Sequence, residues 1–286
     1  TATTEIYTIS LHDALPIFTR KGLIRMNRMQ KIFKPENADH KELPCMIWFH
    51  GGGYAIGSPE SSDRIAKIFM AVTPCIVVST DYQLSVQAPY PAALKDAILA
   101  LTWVEQNAKN LGIDPKRLFV GGESAGGGLS AALCLYARDH GPSPIAFQMP
   151  LYPMLDDRMQ TPSATNNEAP VWNSDSNFNA WQLYLGDSFG QESVPYYAAP
   201  ARATDLSGLP PLASFVGDLE PFYDEALNCY KALEATGQKV EYKVFKGCYH
   251  AFEQMSPKSQ ISHEAIDFMR EAFSHAAGTG TGSDDE

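Results

Sequence analysis

The stretch RLFVGGESAGGGLSAALCLYARD, residues 117–139, passes from an apolar strand through a glycine-rich turn into a helical run. Within it, Gly122-Glu123-Ser124-Ala125-Gly126 fits the pattern G-x-S-x-G. In that pattern a sharp strand-to-helix turn lifts a serine above a sheet, and side chains two residues to either side of it would clash. The helix N-terminus beneath Ser124 also favours negative charge beside it. Alone the pattern is weak, because a glycine-rich helix entry packed closely on a sheet would carry it too. The strand before it and the helix after it are the context that makes Ser124 a candidate nucleophile.

Outward from this turn, short apolar runs alternate with longer amphipathic ones. The runs predict strands over Met46–His50, Cys75–Thr80, Arg117–Gly121, Ile145–Leu151, Leu212–Val216 and Val240–Phe245. Near-continuous apolar stretches such as CIVVST, residues 75–80, are what strands buried on both faces look like. Helices are expected near 60–72, 91–110, 125–139, 222–236 and 258–275, with Asp114-Pro115 and the segment 141–144 punctuating the connections. Strand and helix in alternation predict an α/β protein, a mostly parallel, doubly wound sheet flanked by helices.

Residues 152–208 interrupt that rhythm. They are rich in Asn, Ser, Pro and aromatics and too long for an ordinary connection, so they read as an excursion covering the top of the sheet. One domain is expected over 18–275, followed by a disordered tail over 276–286, GTGTGSDDE being of low complexity. Residues 1–17 look unlike the domain. A spurious read-through segment and an ordinary flexible or swapped terminus both fit them.

His50-Gly51-Gly52-Gly53 closes the run MIWF. Three successive glycines let a backbone approach a ligand closely and present N–H groups to an oxyanion. A phosphate-binding loop would need a GK[ST] ending or G-x-G-x-x-G spacing, and residues 54–58 supply neither. Chain order adds a third sign, since nucleophile, acid, histidine is the order that goes with such an elbow. His12 lies in the atypical leader, His40 in a polar loop, His140 at a helix end, and His263 and His275 in the terminal helix. His250 follows the strand run VEYKVFKG, in a loop near the carboxyl edge of the sheet, where catalytic groups collect. It is the candidate general base.

Composition bounds the rest. The chain has 286 residues, 44% hydrophobic and 19% charged, within the range of one globular domain. A formal net charge of -11 with no Lys/Arg cluster argues against nucleic acid as a partner. Five scattered cysteines in mostly apolar runs read as small buried hydrophobes of a reducing compartment, so the cytoplasm is expected. No Cys/His cluster has metal-ligand spacing, so no metal is expected. No stretch is apolar for the length of a membrane span, and the first residues lack the basic region of a signal peptide.

Taken together, HGGGYAIGS (50–58), DYQL (81–84), PAALKDA (91–97), GGESAGGG (121–128), YPMLDDR (152–158), LPPL (209–212), DLEPFYDEA (218–226) and CYHAFE (248–253) resemble the bacterial hormone-sensitive-lipase-like, or family IV, carboxylesterases. The resemblance covers about residues 35 to 270 and implies the α/β-hydrolase fold. It implies Ser124 and His250 as triad members, and the N–H groups of Gly52, Gly53 and Ala125 as the oxyanion hole, with His50 and Gly51 shaping the loop. Two departures stand out. Such esterases begin with a pair of cap helices, and here some 45 residues precede the HGGG strand, so a reduced N-terminal cap is expected. Most relatives also have Asp where this chain has Glu220.

Four carboxylates follow the strand at 212–216. Asp224 and Glu225 fall in the first turn of the next helix, where the helix dipole suffices to explain acidic groups. Glu220 precedes Pro221, which keeps it out of helical geometry and in the loop, where the resemblance also places the acid. Asp218, nearer the strand and shorter, is the alternative. The reaction expected is hydrolysis of short- to medium-chain carboxylic esters through an acyl-enzyme, with no cofactor and a small-molecule ester as the partner. Relatives often pair through their last strand and helix, so the resemblance admits a homodimer. Rival readings are an amidase or peptidase on the same fold, and a non-catalytic small-ligand receptor. Receptors resembling this family lack the catalytic histidine, whereas this chain keeps Ser124 and His250.

Overall fold

The computed structural model describes residues 4–10, 17–19, 22–24, 29–35, 42–141 and 145–278, with side chains from Gln30 onward. His12, His40 and the tail from residue 279 lie outside the described residues, as does most of the 1–17 segment.

The chain runs β1 (Thr4–Ser10), β2 (Ile17–Thr19), β3 (Gly22–Ile24), β4 (Met29–Pro35), β5 (Leu43–Phe49), α1 (Asp63–Met70), β6 (Ile76–Thr80), α2 (Ala92–Leu111), β7 (Ile113–Glu123), α3 (Ala125–His140) and β8 (Phe147–Leu151). It continues through α4 (Ser174–Leu185), β9 (Leu212–Gly217), α5 (Tyr223–Glu234), β10 (Val240–Phe245), α6 (Phe252–Met255) and α7 (Gln260–Ala276). An eight-stranded sheet has the order β1-β4-β6-β5-β7-β8-β9-β10. From β6 to β10 every neighbouring pair is parallel, while β4 pairs antiparallel with both β6 and β1. β2 and β3 form a separate two-stranded ladder.

The central strands are buried on both faces, which is why their sequences are apolar without alternation. Met46, Ile47, Trp48 and Phe49 on β5 and Ile76, Val77 and Val78 on β6 are wholly inaccessible. Each such side chain contributes about 1.5–3 kcal/mol relative to exposure. Helix α1 packs on α7, and α2 packs on α3. Gly112, in left-handed geometry, ends α2 and turns the chain directly into β7.

The observed elements differ from the sequence expectations mainly at ends and in the excursion. β7 starts four residues earlier than expected, because Ile113 pairs with Leu43 before a register shift. The excursion contains α4, which was not expected. Its N-cap Asn173 accepts a hydrogen bond from Ser176 N, and Asn177, Ala180, Trp181, Tyr184 and Leu185 form its buried stripe. The described residues before Glu42 form strands.

Candidate active site

β7 ends at Glu123 and α3 begins at Ala125, so Ser124 alone makes the turn. Its backbone sits at φ 56, ψ -120, a conformation that side chains rarely adopt. The two glycines of the motif are there for close approach. A Cβ on Gly122 would overlap the Gly126 carbonyl, and a Cβ on Gly126 would overlap the carbonyl oxygens of Phe49 and His50. The turn is therefore pressed against the end of β5, whose Phe49 is the register partner of Gly122.

The residues after β5 bend over this turn. A Cβ on Gly51 would lie 3.4 Å from Ser124 Cβ, so the loop lies against the serine. Gly52 adopts φ 113 because its carbonyl turns away to accept from Ala55 N and Ile56 N. The N–H groups of Gly52, Gly53 and Ala125 donate to no backbone acceptor among the described residues. His50 does not reach the serine: it bonds the Gly51 carbonyl at 2.7 Å and stacks on Tyr82, whose hydroxyl donates to the His50 carbonyl. Burial lowers the His50 pKa, so it serves as a neutral brace.

His250 lies beyond β10, and Ala251 in left-handed geometry starts α6 immediately after it. Its Nε2 is 2.9 Å from Ser124 Oγ, and its Nδ1 is 2.5 Å from Glu220 Oε2. Glu220 is fully buried, and its other oxygen accepts from Gly217 N at 2.9 Å. Burial pushes this carboxyl above the ordinary range, and the neighbouring imidazole pulls it back. The ring of His250 is walled by Phe222 and Tyr152 at centroid distances of 5.1 and 4.9 Å.

The other three carboxylates point elsewhere. Asp218 accepts from Gly247 N at 2.6 Å. Asp224 accepts from Ser163 N, and Glu225 from Leu155 N, each at 2.7 Å. Both of the last two fasten the 152–208 excursion to α5, a tertiary duty in addition to the helix-terminal one expected. His140, His263 and His275 stay on α3 and α7. Among the described residues no group of three or more His, Cys, Asp or Glu could hold a metal ion.

Comparison with known proteins gives the family. A family model described as alpha/beta hydrolase fold matches residues 46–254. Carboxylesterase NlhH of Mycobacterium tuberculosis is 40% identical over 204 residues, 70% of this chain and 63% of that relative. Esterase LipI of the same organism is 34% identical over 221 residues, 76% of this chain and 68% of its own length. The chain belongs to the α/β-hydrolase fold family. Within that family it falls in the hormone-sensitive-lipase-like branch, family IV. Among solved structures, a bacterial heroin esterase superposes with a TM-score of 0.87 at 33% identity, covering 96% of this chain and 84% of that one. Esterase LipW from Mycobacterium marinum gives 0.84 at 31%, covering 96% and 82%. The chain spans less than two thirds of the length of NlhH, 63%.

Beneath the elbow, this α/β hydrolase carries a buried polar network that sequence reading missed. Glu123 accepts from Trp48 Nε1 at 3.3 Å and from Gln254 Nε2. Gln254 also donates to the Tyr152 hydroxyl, which donates to Glu253 Oε1 at 2.8 Å, and Arg64 closes the network on Glu253 at 3.0 Å. The residue before Ser124 is thereby tied to the helix just after His250. The only sign in the sequence was a charged residue inside the elbow motif.

Burial, with the charge of Glu253 adding to it, pushes the Glu123 carboxyl from 4.5 up to about 7. A carboxyl raised in the folded state stabilises the fold when protonated. That stability is complete below its unfolded pKa and is lost as pH rises through about 7. Wild-type stability should therefore decline between about pH 5 and pH 8, by about 3 kcal/mol from this group. Glu123→Gln, which cannot ionise, should flatten the decline. Urea unfolding at the two pH values measures it, and equal slopes for both proteins would count against the assignment.

Proposed function

We propose that the chain is a serine carboxylesterase that hydrolyses short- to medium-chain carboxylic esters through an acyl-enzyme on Ser124. The observation that carries this reading is the continuous line Glu220 Oε2, His250 Nδ1, His250 Nε2, Ser124 Oγ, with links of 2.5 and 2.9 Å. His250 Nε2 takes the hydroxyl proton as Oγ attacks the ester carbonyl. The carbonyl oxygen, now negative, accepts from the N–H groups of Gly52, Gly53 and Ala125, and loss of one such donor typically costs about 3–4 kcal/mol. The imidazolium, steadied by Glu220, returns the proton to the departing alcohol, and water enters by the same route to release the acid. The names of the two relatives and two structural neighbours above, each an esterase, support the same reaction class.

The side chains around the serine support the substrate size. Tyr152, Trp172 and Phe222 crowd the histidine, and Trp172 and Ala180 press on Gly53. Acyl chains of about two to eight carbons should fit best. With p-nitrophenyl esters from acetate to palmitate, kcat/KM should peak in that range and fall roughly a hundredfold at palmitate. A preference for long-chain triglycerides, with activation at an oil interface, would overturn the size assignment. Absence of hydrolysis across the whole series would sink the function itself.

All five cysteines are free, which supports a reducing compartment, the cytoplasm, as the site of action. Among the described residues no helix is long and apolar enough to cross a membrane. The net charge of -11 supports a small-molecule rather than a nucleic-acid partner. β10, an edge strand, and α7 are the elements through which two copies would pair.

A further inference from the structure

Helix α4 roofs the candidate site along one stripe. At one end of the stripe the Tyr184 ring stacks on Tyr54, with centroids 3.8 Å apart. One turn back, Ala180 faces Gly53: a Cβ on Gly53 would lie 3.1 Å from Ala180 Cβ. A further turn back, on the same face, stands Asn177. Helical side chains lean toward the helix N-terminus. Asn177 therefore leans toward Trp172, the residue before the N-cap, whose ring lies 6.1 Å from that of His250 and presses on Gly53. Trp172 thus stands between the glycine loop and the histidine, where a molecule attacked by Ser124 would extend.

Asn177 is fully buried, yet neither its Oδ1 nor its Nδ2 has a hydrogen-bond partner among the described residues. The buried Trp172 Nε1 is likewise unpartnered. Buried amides and indole N–H groups are almost always hydrogen-bonded. Two at the start of the helix whose next turn meets Gly53, one of them on a ring beside His250, are placed to meet a ligand rather than the fold. An indole N–H only donates, and a carboxamide offers two donors, so the complementary group is an oxygen acceptor.

We propose that Asn177, assisted by Trp172 Nε1, is a specificity-determining residue that hydrogen-bonds a second oxygen on the ester, selecting esters with a carbonyl or ether oxygen a few atoms from the scissile bond. This rests on the proposed hydrolysis at Ser124. A pocket built to hydrogen-bond a substrate atom discriminates against the analogue lacking it far more sharply than an apolar pocket does.

The test compares wild type with Asn177→Leu and Trp172→Phe on two matched pairs. Ethyl 3-oxobutanoate against ethyl butanoate places the extra oxygen on the acyl side; 2-methoxyethyl butanoate against butyl butanoate places it on the alcohol side. Intrinsic reactivity cancels when the ratio of kcat/KM within a pair is compared between proteins. The oxygenated-to-plain ratio should fall about tenfold in Asn177→Leu, in the pair whose oxygen reaches the amide, and less in Trp172→Phe. Asn177→Leu should also melt at a higher temperature, since it removes an unpaired buried amide. Ratios unchanged in both pairs for both variants, with an active wild type, would overturn the proposal alone. Equal losses on oxygenated and plain esters would do the same, by making Asn177 structural. A wild type inactive on all four esters removes the hydrolase reading as well.

Discussion

Ser124→Ala should lower kcat by about four to six orders of magnitude while leaving the melting temperature within a few degrees of wild type. The asymmetry follows from where the hydroxyl sits. Ser124 Oγ makes one side-chain hydrogen bond, to His250 Nε2, and the strained turn around it is held by Gly122, Gly126 and the end of β5, none of which the substitution touches. Ser124 N still donates to Leu151 O, and its carbonyl still accepts from Gly128 N. What disappears is the atom proposed to form the acyl bond, and the proposed donors at Gly52, Gly53 and Ala125 can then act only on a water-mediated reaction. An organophosphate should add its mass to the peptide carrying Ser124 in wild type and to none in the variant. Labelling of a different serine, with Ser124→Ala still active, would remove the mechanism.

Glu220→Gln should lower kcat/KM by about three to four orders of magnitude, with Asp218→Asn near wild type in the same assay. Glu220 Oε1 accepts from Gly217 N, and a glutamine keeps that bond only by placing its carbonyl oxygen there. Its amide nitrogen then faces His250 Nδ1 and donates to it. The neutral imidazole must carry its proton on Nε2, the nitrogen that faces Ser124 Oγ, and can no longer accept the serine proton. The imidazolium also loses the negative charge that steadies it. Asp218, by contrast, accepts from Gly247 N, a bond that an asparagine carbonyl can also accept. A crippled Asp218→Asn beside a near-normal Glu220→Gln would transfer the acid role to Asp218.

The two predictions depend on different kinds of information. The elbow at Ser124 and the loop at Gly51–Gly53 were legible in the amino-acid sequence because their conformations are set within a few residues. Glycines stand where a Cβ would meet backbone, an apolar run precedes each turn, and a helical run follows the serine. The parallel sheet was legible for a similar reason: strands buried on both faces must be apolar throughout, and CIVVST is so whatever its neighbours. Strand ends were less so, as the early start of β7 shows, because pairing with Leu43 depends on a partner 70 residues away.

The meeting of Ser124, His250 and Glu220 was a matter of tertiary structure, since 126 residues separate the first two and 30 the last two. A proline and the family resemblance could nominate Glu220 over Asp218, but which carboxylate reaches the imidazole is decided by how the loops after β9 and β10 lie against each other. There Asp218 is drawn off to Gly247 and Glu220 is left facing His250. Helix α4 and the Glu123 network belong to the same class. Asn177 reads as a polar residue and Glu123 as a solvated charge until α4 closes on Gly53 and Tyr54 through Ala180 and Tyr184, and Gln254 is packed against Glu123. A local sequence specifies which backbone conformations are open to it. Burial, and with it the unpartnered amide of Asn177 and the raised pKa of Glu123, arises only when distant segments exclude water from the same place.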